Sequence, residues 1–214
     1  NVTTFANAIA HDAGLRWSVK RNRFAGGGKV IVAGGSESVA INLFSREIDR
    51  SLDNGNSEID SLVCVPNSDI REVSGKRYSI LAQNIEEQGR PVWNGTDKTI
   101  RKNYPDSVRQ CRVVHYESCR GLEGWITLLY HADQYWNDCY SKRFSEGLTE
   151  VDKQALITLE EVCSRFAWQR LMIALSRPVD TVIVTVKEKD SIFSKTLLKL
   201  SRRFTDVVTV EGFS

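Results

Sequence analysis

With 214 residues the chain can hold one large or two small domains. Its 41% hydrophobic and 26% charged content is ordinary for a globular protein in water, and a net charge of +2 neither demands nor excludes nucleic acid, because a local basic stripe can hide in a near-neutral total. No apolar run reaches the roughly 18 residues of a transmembrane helix, the opening NVTTFANAIAHDAG lacks a secretory pattern, and five cysteines (Cys64, Cys111, Cys119, Cys139, Cys163) without CxxC spacing argue against zinc and against a disulfide framework.

These features predict a reduced, cytoplasmic protein with no membrane partner, with Cys64, Cys111 and Cys163 as buried thiols. No G-x-x-x-x-G-K-[ST] loop occurs. Gly26-Gly27-Gly28-Lys29 precedes a predicted strand, whereas a phosphate loop follows a strand and opens a helix, so it reads as a turn. The chain alone is therefore not expected to hydrolyse a nucleotide in the P-loop manner.

Thr3 to Asp12 reads as a helix with Phe5, Ala8 and Ile9 on one face and Gly14 as its stop. Val30 to Ala33 reads as a strand. Glu37 to Leu52 reads as an amphipathic helix, with Ser36 as N-cap and Val39, Ile41, Leu43, Phe44 and Ile48 as core candidates. Ile59 to Val65 reads as a buried strand closed by Pro66-Asn67, and Tyr78 to Gln88 as a helix ending at Gly89. Val92-Trp93 begins a short strand, and Asn94 to Asp106 is a polar loop. Tyr135 to Gly147 is aromatic, charged and irregular. Thr149 and Asp152 form a capping box for one long helix reaching Leu175, with Leu156, Leu159, Val162, Cys163, Phe166 and Ile173 recurring at helical spacing. Pro178 ends that pattern. Thr181 to Val186 and Val207 to Val210 read as strands around a last helix, Ser191 to Phe204. Five or six short β runs alternating with helices predict an α/β fold, a mostly parallel sheet flanked by helices.

Two stretches carry the chemistry. Cys111 to Tyr130 (CRVVHYESCRGLEGWITLLY) reads as a strand, a glycine-flanked charged turn at Arg120 to Gly124, and a second buried strand. Such a turn puts polar side chains at a sheet edge, and in α/β proteins ligands sit outside the carboxyl ends of the strands. Trp168 to Val186 (WQRLMIALSRPVDTVIVTV) reads as a helix end, Ser-Arg-Pro, and a strand. Together they resemble motifs V and VI of the superfamily 1 helicases, the UvrD/Rep-like group and its RNA-helicase relatives. Arg120-Gly121-Leu122-Glu123 looks like that family's [KR]-G-L-E, and Ile173-Ala174-Leu175-Ser176-Arg177 like its [VI]-A-L-[TS]-R, in the family's order.

The resemblance implies a RecA-like second motor domain over residues 1–214, lacking the P-loop and forming part of a larger protein, because Thr3 to Asp12 resembles the helix that opens that domain. About 45 residues separate Pro66 from Cys111, which leaves no room for the accessory domain that the UvrD/Rep-like enzymes insert there. The implied cofactors are ATP and Mg2+ in the full-length protein, with Mg2+ held by the other motor domain and neither bound by this chain alone. The implied partners are that P-loop domain and single-stranded nucleic acid, DNA ahead of RNA.

The implied roles fall on particular residues. Arg177 would be the arginine finger that meets charge developing on the γ-phosphate; the alternative is a helix-end arginine bonded to its own last carbonyls. Arg170 would keep a phosphate contact or serve as a surface ion-pair residue, and Gln169 departs from the family's second arginine. Glu123 would accept from the nucleotide ribose, beside Gly121 in a turn that approaches a ligand. Arg120, Ser118, Tyr116 and Asn67 would contact nucleic acid, the first two through phosphate. Tyr116, Tyr135 and Trp136 are stacking candidates, and Trp125 a core one. Glu117 stands where the family has a histidine, and His11, His115 and His131 assemble no metal set. Two other functions remain open: a helicase-derived ATPase that does not unwind, and a stand-alone α/β interaction module.

Overall fold

The computed structural model describes residues 1–20 and 27–213. In chain order the elements are α1 (Val2–Asp12), β1 (Lys29–Gly34), α2 (Glu37–Asp53), β2 (Ser61–Val65), β3 (Ile70–Val73), β4 (Lys76–Ser79), α3 (Ile80–Glu87), β5 (Val92–Asn94), β6 (Cys111–His115), β7 (Gly124–Leu129), α4 (Ala132–Glu146), α5 (Glu150–Gln154), α6 (Leu159–Leu175), β8 (Pro178–Val186), α7 (Ile192–Ser201) and β9 (Val208–Glu211). Gly26 of the expected turn lies outside the described residues. Gly27 and Gly28 both take positive φ, 80° and 91°, immediately before β1.

Seven strands form one sheet in the order β5-β6-β2-β7-β8-β1-β9, and every pairing in it is parallel. A parallel sheet is stable only when both faces are covered, and the strand residues divide accordingly. Val30, Val32, Leu62, Cys64, Val114, Val182 and Val184 join α1, α4, α6 and α7 in one core. Ile31, Ala33, Val63, Val65, Val113, Leu128 and Ile183 join α2 and α3 in the other. The topology gives this division a cause. Right-handed crossovers place helices on one face when the chain steps one way along the sheet and on the other face when it steps back. β1 to β2 to β5 steps one way under α2 and α3; β7 to β8 to β9 steps the other way under α4, α6 and α7.

Three expectations are corrected. The stretch from Tyr135 to Gly147 is not irregular: all of it up to Glu146 lies in α4, whose Tyr135, Trp136 and Cys139 are buried. The helix starts after His131, whose φ is 46°, with no Ser or Thr cap. Its first turn is tied down by Asp133, which is fully buried and accepts from the Lys187 and Glu188 backbone amides at 3.0 and 2.9 Å. The long helix from Thr149 is really two. The Thr149–Asp152 capping box is present, but it caps only α5; a second box, Thr158–Glu161, starts α6. Leu156, in the break, has a φ of 53° and is 92% exposed, so it is no core residue. The buried face of α6 is Cys163, Ala167, Trp168, Leu171, Met172, Ala174 and Leu175. Tyr78 and Ser79 belong to an antiparallel hairpin, β3–β4, turning at Ser74-Gly75 with φ of 52° and 76°.

That hairpin is joined to α3 by Asp69. Its buried carboxylate accepts from the Ser79 hydroxyl at 2.5 Å and the Leu81 amide at 3.2 Å, and Ser79 in turn caps α3. Burial pushes the Asp69 carboxyl up from 3.8 to about 6, against those two hydrogen bonds. A raised carboxyl favours folding below pH 3.8, and that contribution is lost as pH climbs through about 6. Asp69→Asn should therefore remove a stability decline of about 1–3 kcal/mol between those pH values, measurable as a flatter pH dependence of denaturant midpoint than in the parent chain.

Candidate functional site: a basic cleft and a crossing loop

β2, β5 and β6 end side by side, and the turns after them build a cleft of about 700 Å³. Asn67 follows β2, Thr96 and Lys98 follow β5, and His115, Glu117 and Ser118 come from the end of β6. Arg77 enters from β4, Arg101 from a short 3-10 turn, and Tyr135, Asp138 and Lys142 from α4. Four cationic side chains (Arg77, Lys98, Arg101, Lys142) thus face two carboxylates (Glu117, Asp138).

Hydrogen bonds hold this lining in shape. The Asp97 carboxylate accepts from the Thr99 hydroxyl at 2.5 Å, the Thr99 amide at 2.7 Å and the Arg77 amide at 3.0 Å, so one acid fixes the backbone beside two of the cations. Those bonds, the Thr99 hydroxyl first, hold the Asp97 carboxyl well below its usual range. Arg101 donates to the Ser118 hydroxyl. His115 accepts from the Glu117 amide through Nδ1 at 3.2 Å, while its Nε2 is enclosed and unpartnered. Desolvation pushes the His115 imidazole down, so it is neutral at pH 7 and adds nothing to the positive charge. A concave surface of this charge suits a polyanion tracked through its phosphates.

Asn67 and Ser118 lie in this cleft, with Tyr135 in its wall; the other expected site residues lie elsewhere. Tyr116 is 2% exposed, its ring stacked on Tyr135 with centroids 4.3 Å apart and its hydroxyl donating to the Tyr130 carbonyl at 3.1 Å. It has no open face for a base, which corrects the stacking expectation. Tyr135 and Trp136 are likewise buried, whereas Trp125, expected in the core, is 41% exposed. Arg120 and Arg170 both line a recess of about 160 Å³, with Tyr116, Glu117, Tyr135 and Ile173. Arg170 stacks over Phe166, 5.0 Å from the ring centroid.

The charged turn is not at the carboxyl edge. β6 ends beside Val65, but β7 begins two strands away, below Ser61, so residues 116 to 123 return across the whole sheet to its amino edge. Cys119 is buried midway against Cys64; the thiol–thiol hydrogen bond pushes Cys64 up and Cys119 down. Gly121 takes a φ of 77°, which lets the exposed turn reverse. At the amino edge the Glu123 carbonyl accepts from Arg112 at 2.5 Å, while the exposed Glu123 carboxylate makes no hydrogen bond or ion pair among the described residues. Arg177 meets the loop there. The Gly124 amide donates to the Arg177 carbonyl at 3.1 Å and Arg177 Nη1 to the Leu122 carbonyl at 3.5 Å. The rest of its guanidinium donates to the Ile173 carbonyl at 2.9 Å and the Ser176 hydroxyl at 2.8 Å, the helix-end arrangement. The expected residues therefore divide between two edges, joined by one loop.

Sequence reasoning missed the four cations of the cleft. The signal for three of them was available in Lys76-Arg77 and in Lys98-Thr99-Ile100-Arg101-Lys102, two basic runs in segments without clear periodicity; Lys142 lies outside both.

No protein-family model matches the chain, and no curated protein matches it. Among solved structures it is similar to the C-terminal domain of a possible DNA helicase from Lactobacillus plantarum WCFS1. The two are 13% identical, with 98% of this chain and 94% of that chain covered and a TM-score of 0.48. So slight a likeness assigns neither family nor activity.

The loop's landing is sterically strict. A Cβ on Gly124 would stand 2.8 Å from both the Leu62 Cβ and the Ile126 carbonyl oxygen. Gly124→Ala should push β7 off β2 and lower stability by about 1–3 kcal/mol, read in chemical denaturation; an unchanged midpoint would mean that the strand yields freely.

Proposed function

We propose that the chain is the second motor domain of a superfamily 1 type helicase or translocase: it holds a single strand at the carboxyl-edge cleft and presents Arg177 at the amino edge to ATP on a P-loop domain. The observation that carries this is the loop of residues 116 to 123, which begins in the cleft at Glu117 and Ser118 and ends hydrogen-bonded to Arg177. A motor needs such a mechanical link, because nucleotide state must alter the grip on the strand and the strand must alter turnover.

The residues present fit one side of a triphosphate site only. Arg177 supplies fixed positive charge at the amino edge, and Glu123 a carboxylate suited to a ribose hydroxyl. Gly27 and Gly28 precede β1, so they do not form a phosphate loop, and among the described residues no cluster of His, Cys, Asp and Glu could hold a metal. On this reading ATP and Mg2+ are held by the partner domain, where hydrolysis supplies the free energy for stepping. This chain's part is to deliver Arg177. To do so its guanidinium leaves the Ile173 carbonyl and Ser176, two neutral acceptors that a phosphate outcompetes through charge-assisted, bidentate bonding.

In the protein that carries both domains, Arg177→Ala should abolish strand-stimulated ATP turnover, a loss of about 10³-fold or more, while strand binding stays intact. Turnover retained in steady-state assays would sink the finger assignment. Lys98→Gln with Arg101→Gln should leave basal turnover alone, weaken single-strand binding, and flatten the slope of log K against log salt by about 0.7 per lost phosphate contact. An unchanged slope would remove the cleft from the strand path.

A further inference from the structure

Beside the basic cleft lies a second, smaller recess of about 140 Å³, lined by Trp93, Tyr104, Pro105 and Leu122 and by Arg112 and Arg120. Arg101 and Ser118 belong to both, so the two are continuous. The recess falls well below the roughly 300–1,000 Å³ of a whole-ligand site and suits a single flat ring.

Its charged groups are all cationic, with Asn103 and Ser118 as the neutral polar ones. Trp93 on β5 and Arg112 on β6 are register partners, so their side chains stand next to each other on one face of the sheet. Trp93 is 9% exposed and its Nε1 has no partner; the Arg112 Nε is also enclosed without one. Both atoms are donors only. Native proteins rarely leave buried donors unmet, so two adjacent ones lining one recess mark a place for an acceptor from outside. Above them, Tyr104 is 84% exposed and follows Asn103 in a loop with no other large aromatic. An aromatic ring so exposed is a stacking surface.

We infer that this recess receives one unstacked nucleobase from the strand in the cleft, packed against Tyr104 with its carbonyl edge towards Trp93 and Arg112. The inference rests on the proposed function, since it needs the strand's phosphates beside Arg101. An apolar wall, an aromatic lid and two unmet donors fit a base; a phosphate would leave the apolar wall uncovered, and a cationic ligand would face three arginines. Every base has a π-face, and thymine, uracil, cytosine and guanine carry a carbonyl acceptor, so the recess would register that a base is present without choosing strictly among sequences.

The test is fluorescence anisotropy of the chain with oligo-dT and with a strand of equal length and equal phosphates in which every nucleotide is abasic. Oligo-dT should bind roughly tenfold tighter. Tyr104→Ala, at an exposed position, should erase most of that advantage and leave abasic binding unchanged. Trp93→Phe, which keeps a ring and deletes the donor, should weaken oligo-dT alone. Equal affinity for the two strands, or a base advantage that survives Tyr104→Ala, overturns the base recess while the cleft stands. Failure of both strands to bind overturns the cleft itself and the recess with it.

Discussion

Seven parallel strands cannot leave a face in water, and that constraint shapes everything else in this chain. It forces near-continuous apolar runs such as Val182-Ile183-Val184 and alternates their side chains between two separate cores. It requires crossovers on both faces, and the right-handed rule then fixes which helix lies where. It also confines the strands' own polar chemistry to the two edges of the sheet, because the strand residues between them are covered on both faces. β2 and β7 are neighbours whose onward connections leave in opposite directions, and such a divergence opens a crevice at their carboxyl ends.

Most connections in the fold return by way of a helix. The link from β6 to β7 does not: it crosses under α4 and α6 as a short irregular segment, with Cys119 and Leu122 packed into the core beneath it. Buried backbone in such a segment needs partners. The Leu122 and Glu123 carbonyls find theirs in arginine side chains, Arg177 and Arg112. Those two arginines are therefore structural as well as available at the edge. Any motion of the segment changes what they bond, which makes the link responsive at both ends.

The strands were the most legible part of the sequence, because burial on both faces leaves a run of Val, Ile and Leu that has no other good explanation. α2 and α7 were readable from their amphipathic spacing, and α2 also from Ser36 at its N-cap position; that Ser191 caps α7 came only with the structure. α4 was not. Its buried face is made of Tyr135, Trp136 and Cys139 rather than aliphatics, and its start rests on Asp133 gripping amides 54 residues away, a contact with no local signature. The break before α6 was written in Thr158 and Glu161, but Leu156 kept the apparent period running and hid it. At the site, residue types were legible and placement was not. Arg120, Gly121, Glu123 and Arg177 sit on the amino edge or on the way to it, because a segment's direction across a sheet depends on strand order. The cleft's cations come from a hairpin, a loop and a helix far apart in sequence, and only the fold gathers them.

Asp97 has a consequence for how a strand would be gripped. A flexible basic loop loses conformational entropy each time it closes on a polyanion, and that loss subtracts from affinity. Here one carboxylate already ties the 97–99 turn to the backbone of Arg77. The loop is ordered before anything arrives, so the cleft works as a rigid mould. A strand bound here would pay little ordering entropy, so the same charges would hold it more firmly than a loop that must first close around it.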